Sequence, residues 1–340
     1  MWFKKSSNQI KQPNVTELLA NINSNGVELS IEELLQYQQK SSLIDLAANK
    51  SLHGQLSGNY LARSKGRGME FDEVRHYQSG DDIRAIDWRV TARTGKTHTK
   101  LFREEIERPV LIATDLGASM QFGSKLLFKS VQAAHIAGLI AWHAKNRGDR
   151  VGGIVFNQQN HRELKPRSRK TGVLHYLHAL IELQQLALTN FTSADDIAET
   201  KTENTNTFFE LNCARLRQLA RPGSLVYLIS DGQHLSQEAI RHLSHISRHC
   251  ELVIVKVHDP LELDLPSVNN KTNVVISNGS ERQQLTLGDK KTASDYHHCA
   301  QVLVKEQQSL FTKAGARVLN FSASESIEQQ LKQGASAWIR

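Results

Sequence analysis

The hydrophobic positions of this chain fall into short continuous runs separated by longer stretches in which apolar residues recur at helical spacing. The strand-length runs are VLIAT from Val110, RVGGIVF from Arg150, SLVYLIS from Ser224, ELVIVKVH from Glu251, and residues 316–321. Runs of this kind are typical of strands buried on both faces of a parallel sheet. Strands that alternate with helices predict an α/β protein with a doubly wound, mostly parallel, Rossmann-type sheet.

The N-terminal part of the chain has a different pattern. Residues 1–29 are polar and rich in Asn and Ser, and they predict a weakly ordered arm. Ser30 followed by Glu33 is a capping box that starts a helix, which is predicted to run from Ile31 to about Ala48. Residues 30–105 are therefore predicted to form a helical and β-rich charged region ahead of the main domain.

Residues 106–340 are predicted to form the α/β domain. A hairpin insertion is expected near 273–288, because Asn278-Gly279 separates two strand-like segments. The polar and basic residues 162–170 are predicted to connect a strand to a helix. The Thr-, Asn- and Asp-rich residues 189–206 are predicted to be a loop.

The charged region contains the segment RHYQSGDDIRAIDWRVTAR, from Arg75 to Arg93. One interpretation is a solvated loop with exposed ion pairs, each of which contributes only about 0–1 kcal/mol. The other is an organised platform in which Tyr77 and Trp88 anchor the segment and arginines meet carboxylates. The candidate residues of this box are Arg75, Tyr77, Gly80, Asp81, Asp82, Arg84, Asp87, Trp88 and Arg93.

Composition limits the function classes. The 340 residues carry a formal net charge of +7, but 42 Lys and Arg against 35 Asp and Glu make a mixed surface, which argues against nucleic-acid binding. The 3 cysteines form no CxxC pair. Neither a signal peptide nor an apolar run of membrane-spanning length is evident, so we expect a cytoplasmic protein without a membrane span.

Aspartates follow two of the predicted strands. Asp115 and Asp231 each stand at a strand end, and Ser119 adds a hydroxyl four positions after Asp115. Carboxylate and hydroxyl oxygens with water are the ligands that Mg²⁺ prefers. An aspartate at a strand end can equally cap the helix that follows. The chain has no P-loop and no GxGxxG after a strand, so we do not expect it to bind ATP or NAD itself. It also has no GxSxG elbow, so serine-based hydrolysis has no support.

These motifs together resemble a known family. TDLGASM and the later ISDG are similar to a von Willebrand factor A domain with a metal-ion-dependent adhesion site, whose first motif is Asp-x-Ser-x-Ser. The box from Arg75 to Arg93 resembles the signature of the MoxR-associated branch of that superfamily, catalogued as domain of unknown function fifty-eight. FREE at 102–105 and DP at 259–260 also fit this branch. The resemblance extends from about Leu34 to the C-terminus.

The resemblance implies a metal site. Asp115 and Ser119 match the first motif, and Asp231 matches the later aspartate. A threonine from another loop would complete the set, with Thr205 as the candidate and Thr207 as its competitor. Gly117 stands in place of the first serine, which removes one hydroxyl and weakens a site for Mg²⁺, or for Mn²⁺ as its substitute.

The resemblance also implies a function. It suggests a non-enzymatic protein-binding module that acts as an adaptor or co-chaperone of a MoxR-type AAA+ ATPase in the maturation or remodelling of client proteins. Two alternatives stay open. One is a metal-dependent phosphoesterase that uses Asp115, Asp231 and Glu104 or Glu105. The other is a structural module whose metal site has decayed.

Overall fold

A six-stranded sheet forms the centre of the larger part of the molecule. The structure is a computed structural model and describes residues 15–43, 69–104, 107–192, 202–268, 270–277 and 282–333. The strands are β1 (Met69–His76), β2 (His98–Glu104), β3 (Pro109–Asp115), β4 (Arg150–Phe156), β5 (His161–Arg167), β6 (Leu225–Ser230), β7 (Glu251–His258), β8 (Thr272–Ser277), β9 (Arg282–Leu287) and β10 (Arg317–Ser322). The order in the central sheet is β10-β7-β6-β3-β4-β5. All neighbours in it are parallel except β4 and β5, so the predicted mostly parallel α/β sheet is confirmed.

Helices cover both faces of this sheet. The described helices are α1 (Val15–Asn21), α2 (Ile31–Leu35), α3 (Tyr37–Lys40), α4 (Trp88–Thr94), α5 (Lys129–Asn146), α6 (Arg169–Thr192), α7 (Thr202–Leu219), α8 (Gln237–Ser247), α9 (Lys290–Lys313) and α10 (Ile327–Gln333). One apolar core lies between the sheet and α5, α6 and α10, and a second lies between the sheet and α7, α8 and α9. Val110 and Ile112 belong to the first core, whereas Leu111 and Ala113 belong to the second. Alternate residues of β3 therefore fill opposite cores, which is why the strand is apolar throughout.

The N-terminal helices are part of the first core. The predicted capping box is confirmed, because Ser30 Oγ accepts from the Glu33 amide and the Glu33 carboxylate accepts from the Ser30 amide. Leu34 is fully buried, and Trp142 Nε1 donates to its carbonyl oxygen at 3.2 Å. The weakly ordered arm predicted for residues 1–29 is wrong over its described part, since Val15–Asn21 is helical and both Ile22 and Leu29 are buried.

Residues 55–107 form a separate compact unit, while residues up to 54 group with 108–340. Helices α2 and α3 thus group with the α/β domain, whereas the sequence prediction had placed them in the charged region of residues 30–105. In the separate unit, β1 and β2 pair in antiparallel fashion. A 3-10 turn at Ile83–Ala85 and helix α4 lie between these strands.

The structure corrects the sequence prediction at two segments and confirms it at a third. The polar connection predicted at 162–170 is instead largely β5, an edge strand of the sheet. The loop predicted at 189–206 is helical to Thr192 and again from Thr202. The predicted hairpin is confirmed by the antiparallel pairing of β8 and β9, although its turn at Asn278-Gly279 lies outside the described residues.

Candidate functional site

The candidate site lies at the point where the connections of the sheet reverse direction. From β3 the chain continues to β4 on one side, and it later returns to β6 on the other side of β3. In open α/β sheets such a reversal opens a crevice at the carboxyl ends of the strands, where ligands bind. Asp115 ends β3 and Asp231 follows β6 directly. The fold therefore brings the two aspartates to one crevice, where each is only 3% exposed.

The Asp115 carboxylate accepts hydrogen bonds from two groups of the protein. Its Oδ1 accepts from the Gly117 amide at 2.9 Å, and its Oδ2 accepts from Ser230 Oγ at 2.8 Å. Burial, and then the negative charge of Asp231, raise the pKa of Asp115. The two hydrogen bonds and the more distant Lys129 ammonium oppose this rise without cancelling it. Asp115 is thus pushed toward its neutral form beside an ionised partner.

Asp231 is paired with a lysine that sequence reasoning missed. Lys129 is the first residue of α5; its side chain is 0% exposed, and its Nζ lies 2.9 Å from Asp231 Oδ2. Burial alone would raise the pKa of Asp231, but the Lys129 ammonium and the Gln233 amide hold that pKa below its usual value. Burial alone would likewise lower the pKa of Lys129, but Asp231 and Glu262 outweigh it and raise that pKa.

One feature of the sequence could have pointed to Lys129. It is the single lysine in LLFKSVQAAHIAG, a stretch that is otherwise weakly polar. A buried charge requires a partner, so a lysine placed there predicts a carboxylate in the fold. Which carboxylate it meets cannot be read from local sequence.

The loop after β7 extends this network to a third strand end. Glu262 Oε1 accepts from Lys129 Nζ and from Gln233 Nε2, and its Oε2 accepts from the Asp259 amide. Asp259 is fully buried and accepts from both the amide and the hydroxyl of Ser124, at 2.8 and 2.6 Å. Charged and polar side chains thus join the loop between β3 and α5 to the ends of β6 and β7. Asp259, which begins the DP pair at 259–260, has a structural role here.

The other two predicted site residues lie differently. Ser119 is in a 3-10 turn, and its hydroxyl helps to hold down the pKa of Asp231. No hydrogen bond of ordinary geometry joins the buried Ser119 Oγ to a partner among the residues that the structure describes. Thr205 lies in α7, and its side chain is outside the described part. Its competitor Thr207 is in the same helix and is exposed.

The side chains predicted to bind Mg²⁺ do not fit that ion as they are arranged. Mg²⁺ requires several oxygens directed at one point in octahedral geometry, and a cation at that point repels it. Here the Lys129 ammonium is already bound to Asp231, and position 117 carries no hydroxyl. A Cβ at Gly117 would lie 3.1 Å from Asp115 Oδ1, so a serine there would require a small local shift. Within the described ranges, no group of three or more His, Cys, Asp or Glu side chains could hold a metal ion.

The aspartates of the box from Arg75 to Arg93 form local hydrogen bonds and cap short helices. Asp81 pairs with Arg75, with 2.7 Å between Nη2 and Oδ1, and also accepts from the Gln78 amide at 2.9 Å. Asp82 caps the 3-10 turn through the Arg84 amide. Asp87 caps α4 through the amides of Arg89 and Val90, at 3.0 and 3.1 Å.

The backbone hydrogen bonds hold the pKa of Asp81 and of Asp87 below its usual value, so both stay ionised at neutral pH. Gly80 supplies the positive φ of 108° that the turn before Asp81 needs. The box is therefore organised, rather than being a solvated loop with unstructured charges.

The predicted aromatic anchors of the box are only partly correct. Tyr77 is half-buried, but Trp88 is 67% exposed and so does not anchor the segment. Ile83 is also exposed, at 65%, and the arginines Arg84 and Arg93 of the same segment are exposed too. Asp87 fixes the start of α4 through backbone hydrogen bonds, so this helix forms without a buried indole.

His258, at the end of β7, is predicted to make the stability of the protein depend on pH. Burial, and then the positive charge of Lys256, lower the pKa of His258 from 6.5 to about 4, although Asp259 opposes the shift. The folded state thus binds the proton less well than the unfolded state. The contribution of neutral His258 to stability is present above pH 6.5 and is lost as the pH falls toward 4.

We expect His258→Gln to remove this acid dependence, because glutamine stays neutral throughout. In the native chain, His258 should account for a loss of about 3 kcal/mol between pH 6.5 and 4. Chemical denaturation of both proteins across that range measures the difference. Parallel stability curves for the variant and the native chain would contradict the prediction.

The comparisons with known proteins place the chain in a family. Uncharacterized proteins of Mycobacterium bovis and of two strains of Mycobacterium tuberculosis are 28% identical over 228 residues, which is 67% of this chain and 67% of each relative. None of the described helices is long and apolar enough to cross a membrane.

Two solved structures are similar at low identity. BatB from Bacteroides thetaiotaomicron is 13% identical with a TM-score of 0.41, covering 68% of this chain and 96% of that one. An aerotolerance-related membrane protein from Bacteroides fragilis is 14% identical with a TM-score of 0.39, covering 67% and 98%. The family model described as protein of unknown function DUF58 matches residues 73–305, and the chain therefore belongs to the DUF58 family.

Proposed function

We propose that this protein is a non-enzymatic protein-binding module of the von Willebrand factor A-like type. In this proposal it acts as an adaptor of a MoxR-type AAA+ ATPase in the maturation or remodelling of client proteins. The motif resemblance suggests the ATPase as the partner. One observation carries the binding role. Two large apolar side chains, Trp88 and Ile83, are exposed on the compact unit of residues 55–107.

Exposed apolar side chains on a rigid frame suit a protein interface. Tryptophan is enriched among the residues that dominate binding energy, because it buries a large area while losing little conformational entropy. The caps at Asp82 and Asp87 fix the backbone that presents Ile83 and Trp88. A partner would therefore meet a preorganised surface, which reduces the cost of association.

We expect Trp88→Ala to weaken binding of a purified MoxR-type AAA+ ATPase by about 10- to 30-fold, since it removes an interface tryptophan. Biolayer interferometry with the full chain immobilised measures the affinity. Val275→Ala is the matched control, because Val275 is also 65% exposed but lies in β8.

The control should bind as the native chain does. Equal affinities for Trp88→Ala and Val275→Ala would contradict the role of Trp88. Absence of binding by the native chain would contradict the ATPase as the partner.

The phosphoesterase alternative requires carboxylates that face one metal ion and a water. Asp115 accepts hydrogen bonds from Gly117 and Ser230, and Asp231 accepts one from Lys129, so both carboxylates already have partners within the chain. A phosphoester screen with Mn²⁺ tests this alternative. Turnover that is lost in Asp115→Ala would favour the enzyme over the adaptor.

A further inference from the structure

A lysine ammonium lies 2.9 Å from Oδ2 of Asp231, a residue that the family resemblance implies as part of a metal site. We propose that Lys129 is the resident cation of the crevice and replaces the divalent ion, so that the site is built and held without metal. This inference does not rest on the proposed adaptor function. It concerns residues Lys129, Asp231 and Glu262, all of which the structure describes.

The burial of the ammonium group carries the first part of the argument. The Lys129 side chain is 0% exposed and the Asp231 side chain is 2% exposed. A charge that is removed from water in this way must be paired and hydrogen-bonded, or the group becomes neutral. Lys129 has two carboxylate partners, and Asp231 receives the ammonium on one oxygen and the Gln233 amide on the other. The charges at Asp231 are therefore already compensated within the chain.

The position of Lys129 in its helix carries the second part. The N-terminus of a helix has a partial positive charge, which disfavours a cation in the first turn. Lys129 is nevertheless the first residue of α5, the 18-residue helix Lys129–Asn146. Its backbone amide donates to the Phe122 carbonyl oxygen at 2.8 Å, which fixes the start of its side chain. The electrostatic disadvantage is offset only because the ammonium reaches Asp231 and Glu262 across the crevice.

The position of Glu262 carries the third part. Its carboxylate is held by the Asp259 amide and by Gln233 Nε2 as well as by Lys129. A divalent ion beside Asp231 would have to displace the ammonium from both carboxylates and would otherwise be repelled by it. The single lysine charge thus performs the bridging between loops for which a metal ion would otherwise be needed.

The first test is a metal titration of the full chain. Mn²⁺ and Mg²⁺ are titrated calorimetrically into the native chain at millimolar concentrations, with Asp115→Ala as control. We expect no saturable binding to the native chain. Saturable binding that Asp115→Ala abolishes would overturn the proposal.

Thermal unfolding in metal-free buffer tests the role of the charge directly. We expect Lys129→Met to lower the midpoint by about 10 °C, because it leaves Asp231 buried and unpaired. Adding Asp231→Asn to Lys129→Met should recover most of that loss, since both buried charges are then gone. A single variant as stable as the native chain, or a double variant no better than the single one, would overturn the proposal.

Discussion

We expect Gly153→Ala to destabilise the protein by at least about 4 kcal/mol or to prevent folding, because the added methyl group would collide with the backbone of the neighbouring strand. Gly153 lies in the middle of β4 with φ at +146°, opposite Ile112 of β3. A Cβ at this position would lie 1.9 Å from the Ile112 carbonyl oxygen and 2.6 Å from its amide nitrogen. Both atoms are backbone, so relief requires β3 and β4 to separate, and Asp115 ends β3.

Gly138→Ala is the matched control for this prediction. Gly138 is also buried, but it lies in α5, and an added Cβ would make only ordinary contacts, with Leu34 at 3.6 Å as the nearest. We expect this variant to be more stable than the native chain by about 0.5–1 kcal/mol, because alanine favours the helix. Chemical denaturation monitored by circular dichroism measures both variants. A Gly153→Ala protein within about 1 kcal/mol of the native chain would contradict the expectation.

The second large effect is expected at the buried hydrogen bond that joins the N-terminal helices to the domain. Glu33 and His135 are each about 1% exposed, and Glu33 Oε1 lies 2.5 Å from His135 Nε2. We expect Glu33→Ala to cost about 2–4 kcal/mol, because it leaves the buried imidazole without its hydrogen-bond partner and also removes the capping box. The free energy of unfolding from urea titration measures this cost.

Glu32→Ala is the matched control. It removes a glutamate from the same helix but leaves the contact between Glu33 and His135 in place. Glu32 precedes Glu33 in the first turn of α2 but is exposed. We expect its substitution to change stability by less than about 0.5 kcal/mol. Equal costs for the two variants would show that the contact with His135 contributes little.

Local patterns in the sequence were sufficient where the physical cause is itself local. The apolar runs identified β3, β4, β6 and β7, because strands buried on both faces need apolar side chains on both. The edge strand β10 was also predicted, although only its Leu319 and Phe321 are buried. The capping box at Ser30 and Glu33 was readable because both of its hydrogen bonds join residues three apart. β5 was missed because an edge strand leaves most of its side chains in solvent, and HRELKPR has a single buried residue, Leu164.

The candidate site divides in the same way. The sequence by itself determined the α/β class and placed Asp115 and Asp231 at strand ends, since both follow from the order of apolar and polar residues along the chain. Only the tertiary structure decided that Lys129 meets Asp231 and Glu262, which are 102 and 133 residues away in sequence. It alone also decided that Trp88 is exposed. The physical reason is that the pairing of a buried charge and the covering of an aromatic ring depend on which distant segments the fold brings together.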